Sequence, residues 1–251
     1  MARNKVEAQL TDRPTVVSTR CRPLDVILQG GFPVSRLSLV YGEASTGKTT
    51  LAMQCAIECA RRNLKTLYID ADRSFSHNRL AQLSGNSLKE IGENIVVFTP
   101  ETFSEQVSLV ERIGSFVTDS TGLLVVDTVT SLYRSALGSQ ERVFAQNREL
   151  NRQMAYLAEL ASMKPVAMLL TSQVHAHPSR DEYQIEPVAR RILTYWSEVV
   201  LRLTSTANSA IKKAQLERYP SPNTSNTSCV FKITERGLEE TITQEPSDDS
   251  D

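Results

Sequence analysis

Short apolar runs alternate with segments of helical periodicity along most of the chain. The apolar runs predict buried strands, and they cover residues 37–41, 66–70, 95–98, 123–127 and 166–171. The segments with helical spacing cover residues 24–28, 48–62, 79–83, 103–117 and 140–163. Because strands that alternate with helices favour a largely parallel sheet flanked by helices on both faces, the pattern predicts an α/β fold.

The later part of the chain follows a different pattern. Apolar and polar residues alternate over residues 199–203, 211–219 and 230–234, which predicts late strands that pair antiparallel. Residues 175–187 contain prolines and mixed charges, which favour a loop. The expected organisation is a polar, poorly ordered leader over residues 1–17, one core over 18–240 and a disordered acidic tail over 241–251.

A glycine-containing segment lies between the first long apolar run and the helix that follows it. Gly42, Gly47, Lys48 and Thr49 fit the phosphate-loop pattern G-x-x-x-x-G-K-[ST], in the strand-to-helix context that the pattern requires. Glycines let the backbone approach a phosphate closely, and the N-terminus of a helix attracts anions. Lys48 would reach the β- and γ-phosphates, and Thr49 would place its hydroxyl on Mg²⁺. The pattern predicts nucleotide binding, against the alternative of a plain glycine turn.

Polar side chains end three of the predicted strands, and parallel pairing would bring them to one edge of the sheet. Asp70 and Asp72 follow one strand, Asp127 ends another, and Gln173 follows a third. Asp127 is the expected second contact to Mg²⁺, with a turn or helix cap as the alternative. Asp70 and Asp72 are candidates to orient a water for hydrolysis, although one of them can instead be a cap or a surface acid. Gln173 has a neutral amide that suits a sensor of the γ-phosphate.

Composition limits the class of protein. With 251 residues, 27.9 kDa and 40% hydrophobic residues, the chain fits one globular α/β domain. A formal net charge of -1 gives no overall attraction to nucleic acid or membranes, so such contacts depend on local patches. The cysteines form no C-x-x-C pair, and we find neither a secretory signal nor an apolar run long enough to span a bilayer. These features predict a reduced, cytoplasmic protein.

Six segments, taken in order, carry a family resemblance that runs from Ser18 to Glu240. They are STRCRPLDVILQGGFP, YGEASTGKTTLAMQ, LYIDADRSFSHNRL, LLVVDTVTSLYR, LLTSQVH and FKITERGLEE. Many unrelated nucleotide-hydrolysing enzymes share the phosphate loop, whereas the ordered set is far more specific. On this set the chain resembles the archaeal RecA/RadA recombinase superfamily, and most closely its short RadB paralogues, which lack the N-terminal helix-hairpin-helix domain of RadA.

The resemblance implies a RecA-like P-loop NTPase core that binds ATP and Mg²⁺, the metal through Thr49 and Asp127. It also implies catalytic roles for Lys48, Asp72 and Gln173. Where this chain has Asp72, recombinases carry a glutamate that positions the attacking water. We therefore expect weak ATP hydrolysis, because small misplacements of a catalytic group are costly. The implied nucleotide contacts are Gly42, Glu43, Ala44, Ser45, Thr46, Gly47, Lys48, Thr49, Thr50 and Arg79.

Arg79 would pack on the adenine, since a guanidinium stacks well on a base; a solvated helix residue is the alternative. The resemblance also implies two DNA-facing loops, after residues 123–127 and 166–171. Arginines bind phosphates, and an aromatic ring can stack on a base without reading sequence. The alternative is an ordinary charged helix face. The candidate DNA contacts are Tyr133, Arg134, Arg142, Arg148, Arg180 and Arg190.

The expected function is that of an ATP-binding, DNA-binding recombinase paralogue in homologous recombination and DNA repair. We expect it to hydrolyse ATP weakly, to prefer single-stranded DNA without sequence specificity and to assist a RadA-type recombinase or another repair protein. Two alternatives stay open. One is a RecA-superfamily regulatory ATPase that acts on proteins, and the other is a non-hydrolysing adaptor that binds nucleotide in order to dock on a recombinase.

Overall fold

A computed structural model describes residues 14–138, 140–178, 183–221 and 227–241, which contain a nine-stranded sheet and two small two-stranded sheets. The strands of the large sheet are β3 (Leu37–Gly42), β4 (Lys65–Asp70), β5 (Ile95–Phe98), β6 (Thr121–Asp127), β7 (Ala167–Ser172), β10 (Val199–Ser205), β11 (Ile211–Arg218), β12 (Thr227–Thr234) and β13 (Gly237–Glu240). One two-stranded sheet pairs β1 (Val16–Val17) with β2 (Phe32–Pro33), and the other is a hairpin of β8 (Val174–Pro178) and β9 (Tyr183–Pro187).

The large sheet is parallel over most of its width. Its strand order is β13-β12-β11-β10-β3-β7-β6-β4-β5. The strands from β10 to β5 in this order pair in parallel, and β11, β12 and β13 are added antiparallel at one edge. The order confirms the predicted α/β fold with antiparallel late strands. It also places β3, which leads into the phosphate loop, in the middle of the sheet, where it is buried along its whole length.

Helices cover both faces of the sheet. The helices are α1 (Arg22–Ile27), α2 (Lys48–Arg61), α3 (His77–Ser84), α4 (Leu88–Gly92), α5 (Phe103–Ile113), α6 (Ser131–Ala136), α7 (Gln140–Met163) and α8 (Arg190–Trp196). Successive side chains of a strand face opposite layers. In β6, Leu123 and Val125 pack with α1 and α2, whereas Leu124 and Val126 pack with α5, α7 and α8. The continuous apolar run of this strand therefore contributes to two hydrophobic cores, one on each face of the sheet.

One sequence prediction needs correction. Residues 175–187, predicted as a loop, contain the hairpin of β8 and β9. Pro178 and Pro187 end these strands, where a missing N–H costs little, so the prolines did not exclude a hairpin. The predicted antiparallel pairing of the late strands is confirmed: β10 pairs antiparallel with β11, and on its other side it pairs in parallel with β3.

The predicted leader and tail lie largely outside the described residues. Of the leader, the structure describes residues 14–17, where Val16–Val17 pairs with β2. Residues 1–13 and 242–251 are not among those described, so the predicted boundaries after residues 17 and 240 stay predictions.

A buried glutamine fastens the β12–β13 hairpin to the helix that follows the phosphate loop. On α2, Gln54 Oε1 accepts a hydrogen bond from the backbone N–H of Leu238 at 2.7 Å. Its Nε2 donates to the carbonyl oxygen of Thr19 at 3.3 Å and to that of Leu238 at 3.4 Å. Gln54 is buried, so these contacts compete little with water.

We expect Gln54→Met to lower the free energy of unfolding by about 1 to 3 kcal/mol, because it leaves the buried N–H of Leu238 without its acceptor. Urea denaturation followed by circular dichroism measures the change. Glu58→Ala, one turn further along the same helix, is the control. It removes ion pairs with Arg62 and Arg20, which are partly exposed, and should cost less than about 1 kcal/mol. Equal losses for the two variants would contradict the role given to Gln54.

Candidate phosphate-binding site

The phosphate loop lies over the carboxyl ends of the central parallel strands. β7 lies between β3 and β6, and β6 pairs with β4 so that Asp70 is opposite Asp127. The strand ends that the sequence predicted to converge are therefore neighbours. Both Asp127 and Asp72 lie close enough to Lys48 to act on its charge.

Close packing of the backbone fixes both ends of the loop. A Cβ atom on Gly42 would lie 2.2 Å from the carbonyl oxygen of Leu203 in β10, so only glycine fits there. Gly47 has φ 98°, in the left-handed region, and lies against Ile233 and Leu238 of the β12–β13 hairpin. The shape of the loop thus depends on β10 and on this hairpin.

Neutral carbonyl groups bind the ammonium of Lys48. Lys48 Nζ donates to the carbonyl oxygen of Gly42 at 2.8 Å and to that of Glu43 at 2.6 Å. The Thr46 hydroxyl donates to the same Glu43 carbonyl at 2.8 Å. The lysine side chain therefore folds back along the inside of the loop, where a bound anion would meet it.

Burial lowers the pKa of Lys48 from its ordinary value. The negative charges of Asp127, Asp72 and Glu43 act in the opposite direction and raise it. A buried cation gains from any further anion nearby, because its charge has lost much of its hydration. The site is thus electrostatically suited to a phosphate.

Two hydroxyl groups orient the carboxylate of Asp127, which is fully buried. Tyr68 OH donates to Oδ2 at 2.8 Å, and the Thr171 hydroxyl donates to Oδ1. Burial, followed by the charge of Asp127, raises the pKa of Tyr68 well above its ordinary value, so the phenol keeps the proton that it donates. The predicted metal ligand therefore has a fixed position even without a metal.

The two candidate acids after β4 have different roles. Asp70 accepts hydrogen bonds from the backbone N–H groups of Ser74 at 2.9 Å and Phe75 at 3.0 Å. Burial raises the pKa of Asp70, and these two amides lower it in part. Asp70 therefore caps the loop that follows β4, and Asp72 remains the candidate for orienting the attacking water.

Asp72 belongs to a chain of hydrogen bonds with two other predicted residues. Gln173 Nε2 donates to Asp72 Oδ2 at 3.0 Å, and Arg134 Nη1 donates to Gln173 Oε1 at 2.7 Å. These residues line a cleft of about 350 Å³ together with Ser131 and Ser135. The structure therefore joins a predicted catalytic acid, a predicted γ-phosphate sensor and a predicted DNA contact.

The remaining nucleotide contacts lie around this centre. Thr49 and Thr50 are half-buried in the first turn of α2, and Ala44 and Ser45 are exposed on the loop. Arg79 on α3 donates to two carbonyl oxygens of the β12–β13 turn, that of Thr234 at 2.8 Å and that of Glu235 at 2.7 Å. Its guanidinium is therefore held beside the hairpin, and its stacking on adenine stays a prediction.

The candidate DNA contacts do not all lie on the surface. Tyr133 is buried, with its ring against Phe103 and its hydroxyl bonded to Asn147 at 2.7 Å, so we withdraw it as a base-stacking residue. Its place in the LLVVDTVTSLYR segment did not reveal that this tyrosine packs in the core. The exposed arginines are Arg134 on α6 and Arg142 and Arg148 on α7; Arg190 begins α8, and Arg180 lies outside the described residues.

Sequence reasoning missed Tyr68 and Thr171 as residues of the site. Both are polar and fully buried next to the apolar residues of β4 and β7. A polar residue inside such a strand is a signal for a buried partner, because an unpaired polar group there is costly. The strand-end acid Asp127 was the obvious partner to consider.

The sequence model of the Rad51 protein family matches residues 12–241 of this chain.

The chain belongs to the Rad51 family.

Among its relatives are proteins described as "DNA repair and recombination protein RadB". The one from Methanococcoides burtonii is 30% identical over 218 residues, covering 87% of this chain and 95% of the relative. The one from Thermococcus kodakarensis is 33% identical over 228 residues, covering 90% of this chain and 99% of the relative. The crystal structure of the RadB recombinase superimposes with a TM-score of 0.76 at 31% identity, over 90% of this chain and all of that one.

The Rad51 family accounts for the RecA-like core, in which the segment with the phosphate-loop pattern joins β3 to α2. Within the part of the chain that the structure describes, His, Cys, Asp and Glu residues form no group of three suited to hold a metal by themselves. Over the same residues, every helix is too short or too polar to cross a bilayer.

We expect Tyr68→Phe to lower the free energy of unfolding by about 1.5 to 3 kcal/mol, since it removes a donor to a buried charge. Tyr219→Phe is the matched control, because Tyr219 OH donates to a neutral carbonyl, that of Leu28, at 2.9 Å. Its loss should be about 0.5 to 1.5 kcal/mol. Denaturant titrations of both variants measure the difference; a smaller loss for Tyr68→Phe would argue against an oriented carboxylate.

Proposed function

We propose that this member of the Rad51 family is an ATP-binding, DNA-binding recombinase paralogue that acts in homologous recombination and DNA repair. We propose further that it hydrolyses ATP weakly and assists a RadA-type recombinase or another repair protein in the cytoplasm. The names of its relatives support recombination and repair, and the described site supports nucleotide binding.

One observation carries the proposal: a buried lysine and a buried, oriented aspartate converge on a glycine loop at the carboxyl ends of parallel strands. The residues fit magnesium-ATP. Lys48 supplies a cation that donates hydrogen bonds to the carbonyl oxygens of Gly42 and Glu43, and the narrow space at Gly42 leaves no room for a side chain. Asp127 supplies a hard oxygen ligand of the kind that Mg²⁺ prefers, and Thr49 lies in the first turn of α2.

Each residue has a distinct part in binding. The first amides of α2 have no acceptors within their own helix, so they are free to donate to phosphate oxygens. Lys48 would leave the carbonyls of Gly42 and Glu43 for the β- and γ-phosphates. Thr49 and Asp127 would hold Mg²⁺, which neutralises charge on the phosphates when it is bound. The fixed Tyr68 and Thr171 hydroxyls keep Asp127 in place.

Weak hydrolysis follows from the acid at position 72. Asp72 is one methylene shorter than the glutamate of recombinases, and its Oδ2 already accepts a hydrogen bond from Gln173. A general base must lie within hydrogen-bond reach of the water that it deprotonates. The shorter side chain and the hydrogen bond from Gln173 both hinder contact between Asp72 and such a water. The same observation therefore supports a second candidate function, a non-hydrolysing adaptor that binds ATP in order to dock on a recombinase.

The proposed DNA binding rests on three exposed arginines, Arg134, Arg142 and Arg148, that follow β6 in the chain. Arginine contacts to phosphates carry no sequence information, so the proposed binding is non-specific and dependent on salt. Arg190 begins α8, close to the same edge of the sheet, and we retain it and Arg180 as proposed contacts.

The proposed DNA binding predicts that a fluorescein-labelled oligothymidylate binds in the presence of magnesium-ATP and is released by salt. The three exposed arginines alone should make the logarithm of the binding constant fall against the logarithm of salt concentration with a slope of about −2, and each further phosphate contact should steepen it by about 0.7. Fluorescence anisotropy measures both quantities.

The double variant Arg142→Ala/Arg148→Ala should lose most of this affinity. Arg36→Ala is the control. Arg36 precedes β3 at the amino ends of the parallel strands, whereas the site lies at their carboxyl ends, and it pairs with Glu198. A flat response to salt, or equal effects of the two changes, would refute DNA binding at this surface.

The Asp72→Glu variant should hydrolyse ATP about tenfold faster than the parent or more, since the longer side chain reaches the attacking water. Release of inorganic phosphate under saturating ATP measures the rate. Asp119→Glu makes the same chemical change on an exposed turn before β6 and should have no effect. If Asp72→Glu stays as slow as the parent, the weak activity has another cause.

A further inference from the structure

An exposed phenylalanine lies on the helix that carries two of the proposed DNA contacts. Phe144, in the second turn of α7, is 70% exposed. Other exposed rings have an aromatic partner: the ring centroid of Phe116 lies 5.2 Å from that of Phe98, and that of Tyr195 lies 5.1 Å from that of Trp196. Over the described residues, Phe144 has no such partner and belongs to none of the hydrophobic clusters. Since phenylalanine is also a modest helix former, neither packing nor helix propensity accounts for it here.

The charges on either side of Phe144 are positive. Arg148 lies one turn further along α7, so its side chain shares a face with that of Phe144. Arg142 lies near the start of the helix, where its Cδ would be 3.3 Å from a Cβ atom on Gly138. From Arg142 to Arg148 the sequence contains no acidic residue, and the N-terminus of a helix adds partial positive charge. The ring therefore has a cationic surrounding.

Both of these arginines are exposed and available to an anion. Within the part of the chain that the structure describes, neither Arg142 nor Arg148 has an acidic side chain at ion-pair distance. Exposed arginines elsewhere do pair with glutamates, as in Arg20–Glu58, Arg36–Glu198, Arg73–Glu101 and Arg152–Glu149. A phosphate can therefore bind the two guanidinium groups beside Phe144 without first breaking an ion pair.

An apolar ring between unpaired guanidinium groups fits a ligand that combines flat apolar groups with negative charge. Every nucleotide of a single strand of DNA has both, as a base and a phosphate, and aromatic side chains stack on bases whatever their sequence. In a duplex, both faces of each base are already stacked on neighbours. A ring can insert there only by unstacking a base step, which is costly.

We propose, on the basis of the DNA binding proposed above, that a base of single-stranded DNA stacks on Phe144 while neighbouring phosphates bind Arg142 and Arg148. Arginine contacts to phosphates are available to both single strands and duplexes. Phe144 is then the residue that makes this surface prefer single strands. It performs the stacking role that Tyr133, which is buried, cannot perform.

The test measures two affinities by fluorescence anisotropy at constant salt, that of a labelled oligothymidylate and that of the duplex it forms with oligodeoxyadenylate. Phe144→Ala should weaken binding of the single strand at least about fivefold, since it removes a base–aromatic stack. Its affinity for the duplex should stay within about twofold of the parent's, because the phosphate contacts remain. The salt dependence should keep its slope, because no charge is removed.

Arg148→Ala is the complementary variant. It removes a phosphate contact, so it should weaken binding of both forms of DNA and reduce the steepness of the single-strand salt slope by about 0.7. Phe116→Ala is the matched control. Phe116 follows α5 in a segment whose Gly114 lies against Tyr156 and Leu160, towards the other end of α7. This variant should leave both affinities unchanged.

A tryptophan at position 144 would report the stacking directly. Phe144→Trp should bind oligothymidylate at least as tightly as the parent does, because the indole ring also stacks on bases. Its fluorescence should be quenched on binding, beyond any change in Trp196. The parent, in which Trp196 is the only tryptophan, supplies that reference signal.

Equal losses for single strand and duplex in Phe144→Ala, no loss for either, or a parent without preference for single strands would overturn this inference and leave the proposed function intact. Loss of self-association in sedimentation, with DNA binding unchanged, would also overturn it and assign Phe144 to a protein contact. A folded parent that binds neither form of DNA would overturn both the inference and the proposed DNA binding.

Discussion

The site depends on keeping a cation buried and directed at one point before any anion is present. Lys48 loses much of its hydration at the end of β3, and the carbonyl oxygens of Gly42 and Glu43 replace part of it. This is possible only because β3 is central in the sheet and the loop packs on β10 without a side chain at Gly42. The fold thus supplies a position of high affinity for negative charge.

The carboxyl ends of the neighbouring strands also hold a negative charge in a fixed position. Asp127 is buried at the end of β6, between β7 and β4, and hydroxyl groups from β4 and β7 donate hydrogen bonds to its two oxygens. Three neighbouring strands therefore contribute to one carboxylate. Preorganisation of this kind lowers the cost of binding, because the groups need not be ordered when the ligand arrives.

The sequence predicted the fold well where one physical signal was dominant. Buried parallel strands appear as continuous apolar runs, so β3, β6 and β7 could be located closely. The hairpin of β8 and β9 escaped because its stability comes from pairing between two segments whose own composition suggests a loop. The parallel pairing of β10 with β3 has no local signal, since it depends on topology.

For the site, residue types and order named the loop, Asp127, Asp72 and Gln173 as candidates, but they did not predict the contacts between these residues. The bond from Arg134 to Gln173 joins residues that are 39 positions apart, and no local pattern contains it. Tyr133 failed as a DNA contact for the related reason that the direction of a side chain on a short helix depends on tertiary packing. Spacing indicates which residues can take part, whereas orientation decides which of them do.

The most direct test of this account is a calorimetric titration of magnesium-ATP into the folded protein at alkaline pH, in two buffers with different ionisation enthalpies. Burial lowers the pKa of Lys48 in the free protein, and a bound phosphate must raise it again. We therefore predict binding with proton uptake, seen as a heat that differs between the buffers. The absence of binding heat in both buffers would contradict the central claim that Lys48 and Asp127 form a site for a triphosphate.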